Sequence, residues 1–248
     1  MPMPPHSPLA TAASADNNAN AADPAAAATA AAAATGSPPP PEEWLRTARQ
    51  GLDEPVTWEG LKSILREWRE AEAAGKPDAA KTLGRLGRSR ETTVAYRAHR
   101  ARVLAEWRTM SDYATVVMLG WADPIVVDDE EDGIKTKKKG AGPLRSNERL
   151  PRPNGGVFTP NDFPYFFEPG AWHELLWSPF GPLTDAEIEA AIARRLRDEE
   201  EKEEEGEEGG GNGATVDAVH WVNPIELKSV PAIWHAHVVF FRRKARRK

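Results

Sequence analysis

The chain has 248 residues, 40% of them apolar, no cysteine and a formal net charge of −6. Without cysteine there is no disulfide, thiol nucleophile, Cys-ligated zinc or iron–sulfur cluster, and a reducing compartment fits. The negative charge is local: Asp198–Glu208, "DEEEKEEEGEE", sets nine acids against one lysine, so the remainder is close to neutral and lacks the basic face that nucleic acid requires.

Residues 1–41 are rich in Ala and Pro and nearly chargeless, and they read as a disordered tail outside the fold. The first basic residue is Arg46, so neither a secretory n-region nor an arginine-bearing mitochondrial presequence is expected. No apolar run approaches the roughly 18–20 residues of a membrane helix. The expectation is a cytoplasmic protein with no membrane partner. A basic tail, Arg242–Lys248, fits a solvated chain end first and a nuclear-import signal second.

Residues 42–241 read as one domain. In "TWEGLKSILREWREAEAAGK" Trp58, Leu61, Ile64, Leu65 and Trp68 recur at helical spacing behind Thr57 as N-cap, and Gly75 and Pro77 end the run. A second helix is expected over roughly Glu91–Met110, and a third, capped by Ser111, over "DYATVVMLGW". Residues 126–147, acidic then basic and studded with glycine, read as a loop, and 126–146 is taken as a charged insertion. From Asn147 the texture turns to short strands and tight turns. "TDAEIEAAIARRL" is a helix with Thr184 as N-cap and Glu187 at the capping-box position. A charged loop over 198–215 follows, and then two strands, "AVHWVN" and "AIWHAHVVFF". The fold class is α+β: a helical N-terminal half packed on a mostly antiparallel sheet.

Inside the last strand, His235 and His237 fall on one face beside Ile233, Val239 and Phe241. Trp234, Ala236, Val238 and Phe240 make an equally apolar opposite face, so the strand is expected to be covered on both sides. His173, in "AWHELLW", supplies a third imidazole from another strand. These three are the candidate catalytic residues. The same pattern suits a metal, with Glu168, Glu174 or Asp162 as further donors. However, no acid follows His-x-His as in cupin-type sheets, and Trp177 stands where "HELLW" would need a second ligand. No metal ligand is assigned. The strand also partly resembles that of the histidine-triad nucleotidyl hydrolases and transferases. On that resemblance His237 is the nucleophile and His235 its orienting neighbour, although Val239 departs from the pattern. A third reading is non-covalent binding of a sugar or sugar nucleotide between aromatic walls. Asp162, Tyr165, Glu168, Trp177 and Lys228 are the candidate ligand contacts.

"NDFPYFFEPGAWHELLW" together with "LKSVPAIWHAHV" resembles the N-acetylglucosamine-induced protein family of fungi and other eukaryotes, which centres on a domain of unknown function. Asn161–Tyr165, Pro169, Gly170, His173, Trp177, Leu227–Val230, His235, His237 and Val238 carry the likeness. It implies a link to N-acetylglucosamine metabolism or response and supplies no catalytic residues, so whether the chain is an enzyme stays open. The alternatives are a histidine-triad-like enzyme and a non-enzymatic adaptor acting through the charged loops and basic tail. The cofactor is unknown, and so is the oligomeric state.

Overall fold

A computed structural model describes residues 50–131, 134–145, 150–151, 155–206 and 215–243. The Ala/Pro-rich tail, most of the basic tail and residues 207–214 of the acidic run lie outside the described residues. Helix α1, Trp58–Ala73, starts where Thr57 accepts a hydrogen bond from the Gly60 N–H, and it buries the expected stripe of Trp58, Leu61, Ile64, Leu65 and Trp68. Gly75, at φ 63°, takes the left-handed turn that ends it. Short α2 is Ala79–Leu83, and α3, Arg90–Glu106, is capped by Ser89.

The second helix is shorter than its sequence suggests. Trp107 turns extended, because the Arg108 N–H donates to the Lys139 carbonyl. Thr109, not Ser111, then caps α4, Met110–Tyr113, by accepting the Asp112 N–H, and the chain widens into a π-turn over Ala114–Met118.

The stretch read as a charged loop is instead a two-stranded antiparallel ribbon, β1 Ala122–Glu131 with β2 Ile134–Leu144. Its register sets acids opposite lysines, as in Asp128 against Lys137, and Lys138 Nζ lies 2.8 Å from the Asp129 carboxylate. Opposite charges on facing strands hold the ribbon where an apolar face would normally do so. The acidic run also departs from the loop reading. Helix α5, Asp185–Gly206, carries straight through its first half, since glutamate is a good helix former and Arg195 pairs with Glu199 one turn on. The capping box forms as expected: the Thr184 N–H donates to the Glu187 carboxylate, and the Glu187 N–H donates to Thr184 Oγ1.

The main sheet is antiparallel throughout. Its strands are β3 (Val157–Pro160), β4 (Ala171–Ser178), β5 (Thr215–Trp221) and β6 (Trp234–Arg243), in the order β3-β4-β6-β5. Arg242 and Arg243 are therefore strand, not tail. α5 covers one face through Ile188, Ala191 and Ile192 against Leu176, Ala236, Val238 and Phe240. The helical half covers the other in two clusters. One joins α1 to Trp221 and Val239, and the second joins Val103, Trp107 and Ala114 to Leu175 and Trp177. The fold is α+β, with β4 and β6, which carry His173, His235 and His237, in the middle of the sheet.

Candidate functional site

Strand register decides which imidazoles meet. His173 on β4 faces Val239, and Leu175 faces His237, so His173 and His237 are diagonal neighbours on one face. That offset lies within reach of ring side chains. His173 Nε2 stands 3.0 Å from His237 Nδ1. His237 Nε2 stands 2.9 Å from the Asn223 amide nitrogen, whose other contacts are the Tyr165 hydroxyl and, through Asn223 Oδ1, the Trp221 indole N–H. The Tyr165 main-chain N–H donates to His173 Nδ1 at 3.2 Å. The Tyr165 and Trp221 rings stack on His237, with centroids 5.4 and 5.0 Å away. His235 joins none of these hydrogen bonds: its Nδ1–H donates to the Ile233 carbonyl at 2.9 Å, and its ring lies against Trp177 and edge-on to His237.

All three rings are buried, at 5%, 3% and 6% exposure for His173, His235 and His237. Burial, helped by the Arg88 charge, pushes His173 down to about 3. Burial pushes His235 down to about 4, with the Ile233 carbonyl pulling the other way and Lys228 adding to the depression. His237 falls well below the ordinary imidazole range, first through burial and then through the neighbouring His173 and His235 and the cations Arg88 and Lys228. The rings are neutral at neutral pH. Both nitrogens of His237 are engaged, which leaves no lone pair for nucleophilic attack.

Beside this cluster opens a cleft of about 410 Å³, whose wall includes Ser89, Thr92, Asn161, Tyr165, Trp172 and His173. Of the three imidazoles, only His173 reaches it. The loop between β3 and β4 forms the wall and is pinned on both flanks. The Phe166 N–H donates to the Gly87 carbonyl, Arg88 Nε donates to the Phe163 carbonyl, and the Val56 N–H donates to the Phe166 carbonyl.

The model of the family described as "Protein of unknown function (DUF3605)" matches residues 68–241, which span the α3–α5 helices, both sheets and every residue of the histidine cluster. The chain belongs to that family. N-acetylglucosamine-induced protein 1 of Candida albicans is similar at 21% identity, over 75% of this chain and 68% of that one. An uncharacterized protein of Saccharomyces cerevisiae, YPL067C, is 29% identical over 74% of this chain and 78% of its own. The crystal structure of HTC1 covers 75% of this chain and 84% of its own, with 28% identity and a TM-score of 0.37.

In this DUF3605 chain the sequence-derived candidates disperse. His173 and Tyr165 meet at the cleft, and His237 lies behind them. His235 and Trp177 are core: the Trp177 indole N–H donates to Thr159 Oγ1 at 2.9 Å and its ring covers His235. Glu168 turns its carboxylate to the Trp58 N–H, at the start of α1. Asp162 is exposed outside the cleft wall, and Lys228 is half-buried outside it too, close enough for its charge to act on His235 and His237. Among the described residues no group of three or more His, Asp or Glu is placed to hold a metal ion, and no helix is long and apolar enough to cross a membrane. Two residues that matter were missed. Asn161 was visible only within a family motif, and Asn223 stands in "HWVNP", where an Asn before Pro closes a strand and gives no hint of its partner across the sheet.

Proposed function

We propose that this DUF3605 protein is a small-molecule binding protein whose ligand, a sugar or sugar derivative, sits in the cleft beside His173, with the buried imidazoles behind it as support and not as nucleophiles. The carrying observation is the cleft itself. Its volume of about 410 Å³ lies within the span of small-molecule sites, and it offers a few fixed polar groups among aromatic rings. Tyr165 and Phe167 present ring surface, while Ser89, Thr92 and Asn161 present hydroxyls and an amide. The name of the Candida relative records induction by an amino sugar, which puts N-acetylglucosamine first among the ligands to try.

The test is a thermal-shift and calorimetric screen of amino sugars, sugar phosphates and nucleotide sugars, repeated on Thr92→Trp, which fills the cleft from the first turn of α3. A ligand at 100 times its Kd stabilises by about 2.7 kcal/mol, and that gain is expected to vanish in the variant while the fold persists. A screen without a single binder overturns the reading.

A further inference from the structure

Every polar atom of the imidazole pair has a neighbour at hydrogen-bonding distance, yet the protons do not add up. His173 Nδ1 receives the Tyr165 main-chain N–H, and the Asn161 amide nitrogen stands 3.3 Å from the same atom. That nitrogen is therefore the bare one, and a neutral His173 carries its proton on Nε2. At the far end the Trp221 indole N–H, which can only donate, holds the Asn223 oxygen at 2.9 Å. Asn223 thus turns its NH2 group to His237 Nε2, and a neutral His237 carries its proton on Nδ1. The two inner nitrogens, 3.0 Å apart, then both bear hydrogen. Turning Asn223 over only moves the conflict to Trp221. The cluster holds one donor too many.

An acceptor entering from the cleft removes the conflict. With an oxygen beside Asn161, the Asn161 and Tyr165 N–H groups transfer to it, and His173 moves its own proton to Nδ1 and donates to the same atom. His173 Nε2 then accepts from His237 Nδ1–H, His237 Nε2 accepts from Asn223, and each link holds one hydrogen. Asn161, Tyr165 and His173 all line the cleft, and none of its lining residues is acidic. The Arg88 guanidinium stands 5.6 Å from the Tyr165 ring, and its positive charge acts on His173. Converging donors under a cation favour a charged oxygen over a neutral one. Resting on the cleft as a sugar site, we propose that its end beside His173 is an oxyanion receptor, and that the ligand is a sugar bearing a phosphate or carboxylate.

Calorimetry on the full chain with N-acetylglucosamine, its 6-phosphate, glucuronate and inorganic phosphate separates the outcomes. An anionic sugar binding about tenfold or more tighter than the neutral one is the expected result, and which of the two binds better identifies the anion. Equal affinity for neutral and anionic sugars overturns the receptor and leaves the sugar cleft standing. Inorganic phosphate binding as well as any sugar keeps the receptor and overturns the sugar. Absence of all binding overturns both. Asn161→Asp keeps the oxygen that accepts the Phe163 N–H, replaces the donor with a negative charge, and is expected to abolish anion binding. Asn223→Asp supplies the missing acceptor from inside, holds the His173 proton on Nε2, and is expected to weaken the anion about tenfold. Long-range proton–nitrogen spectra read the switch directly. His173 Nδ1 should go from bare to protonated on saturation with the 6-phosphate, and an unchanged tautomer overturns the proposal.

Discussion

The two faces of the central sheet bury polar groups by opposite rules. Under α5, Glu174 is buried, and Arg195 grips it with two guanidinium nitrogens at 2.7 and 3.0 Å while the Trp172 indole N–H donates to the same carboxylate. There charge meets charge and every donor has an acceptor. Across the sheet His173, His237 and Asn223 lie equally deep with no carboxylate near, and their donors outnumber their acceptors. The lesson is that burial alone does not mark a functional cluster. Both faces hide polar atoms, but only one is left with an unspent hydrogen bond and a cleft beside it.

Acid should break the comparison hardest. His173 and His235 are neutral when folded, with values pushed to about 3 and about 4, whereas in the unfolded chain they take up protons near 6.5. Their stability is thus complete above about pH 6.5 and is lost as pH falls toward those lower values, at about 1.4 kcal/mol per pH unit for each ring. Urea titrations between pH 7 and 4.5 measure the slope, and His235→Asn should flatten it by one ring's share. Next, Trp221→Ala strips the ring stacked on His237 and opens a core void, with an expected loss of about 3–5 kcal/mol in denaturant midpoint experiments. Glu174→Ala leaves Arg195 half-stranded. It should cost about 3 kcal/mol, and the double change Glu174→Leu with Arg195→Met should recover most of that. The smallest effect sharpens the contrast. Tyr165→Phe deletes an acceptor from the donor-rich face and should cost about 1–2 kcal/mol, read by thermal unfolding.

How far the sequence foretold this depends on range. The α1 stripe, the Thr184–Glu187 box and the shared face of His235 and His237 follow from local periods of 3.6 and 2, and all three are present. The partnership that matters is not local. His173 meets His237 and not His235 because β6 slots between β4 and β5 in one particular register, and a shift of two residues would have exchanged them. Asn223 joins through a turn whose geometry no spacing rule encodes. The β1–β2 ribbon was unreadable for another reason. Its strands are held by facing charges, so the alternation of apolar and polar residues that signals a strand is missing.

The family match starts at residue 68, ten residues after α1 begins. Those ten include Trp58, whose main-chain N–H is the partner of the Glu168 carboxylate, and just ahead of them Val56 bridges to Phe167. A protein trimmed to the homology limits would therefore keep His173, His235 and His237 and still lose the buttress that props the cleft's outer rim. Ligand assays run on such a fragment would report a broken doorway, whatever the room behind it was built to hold.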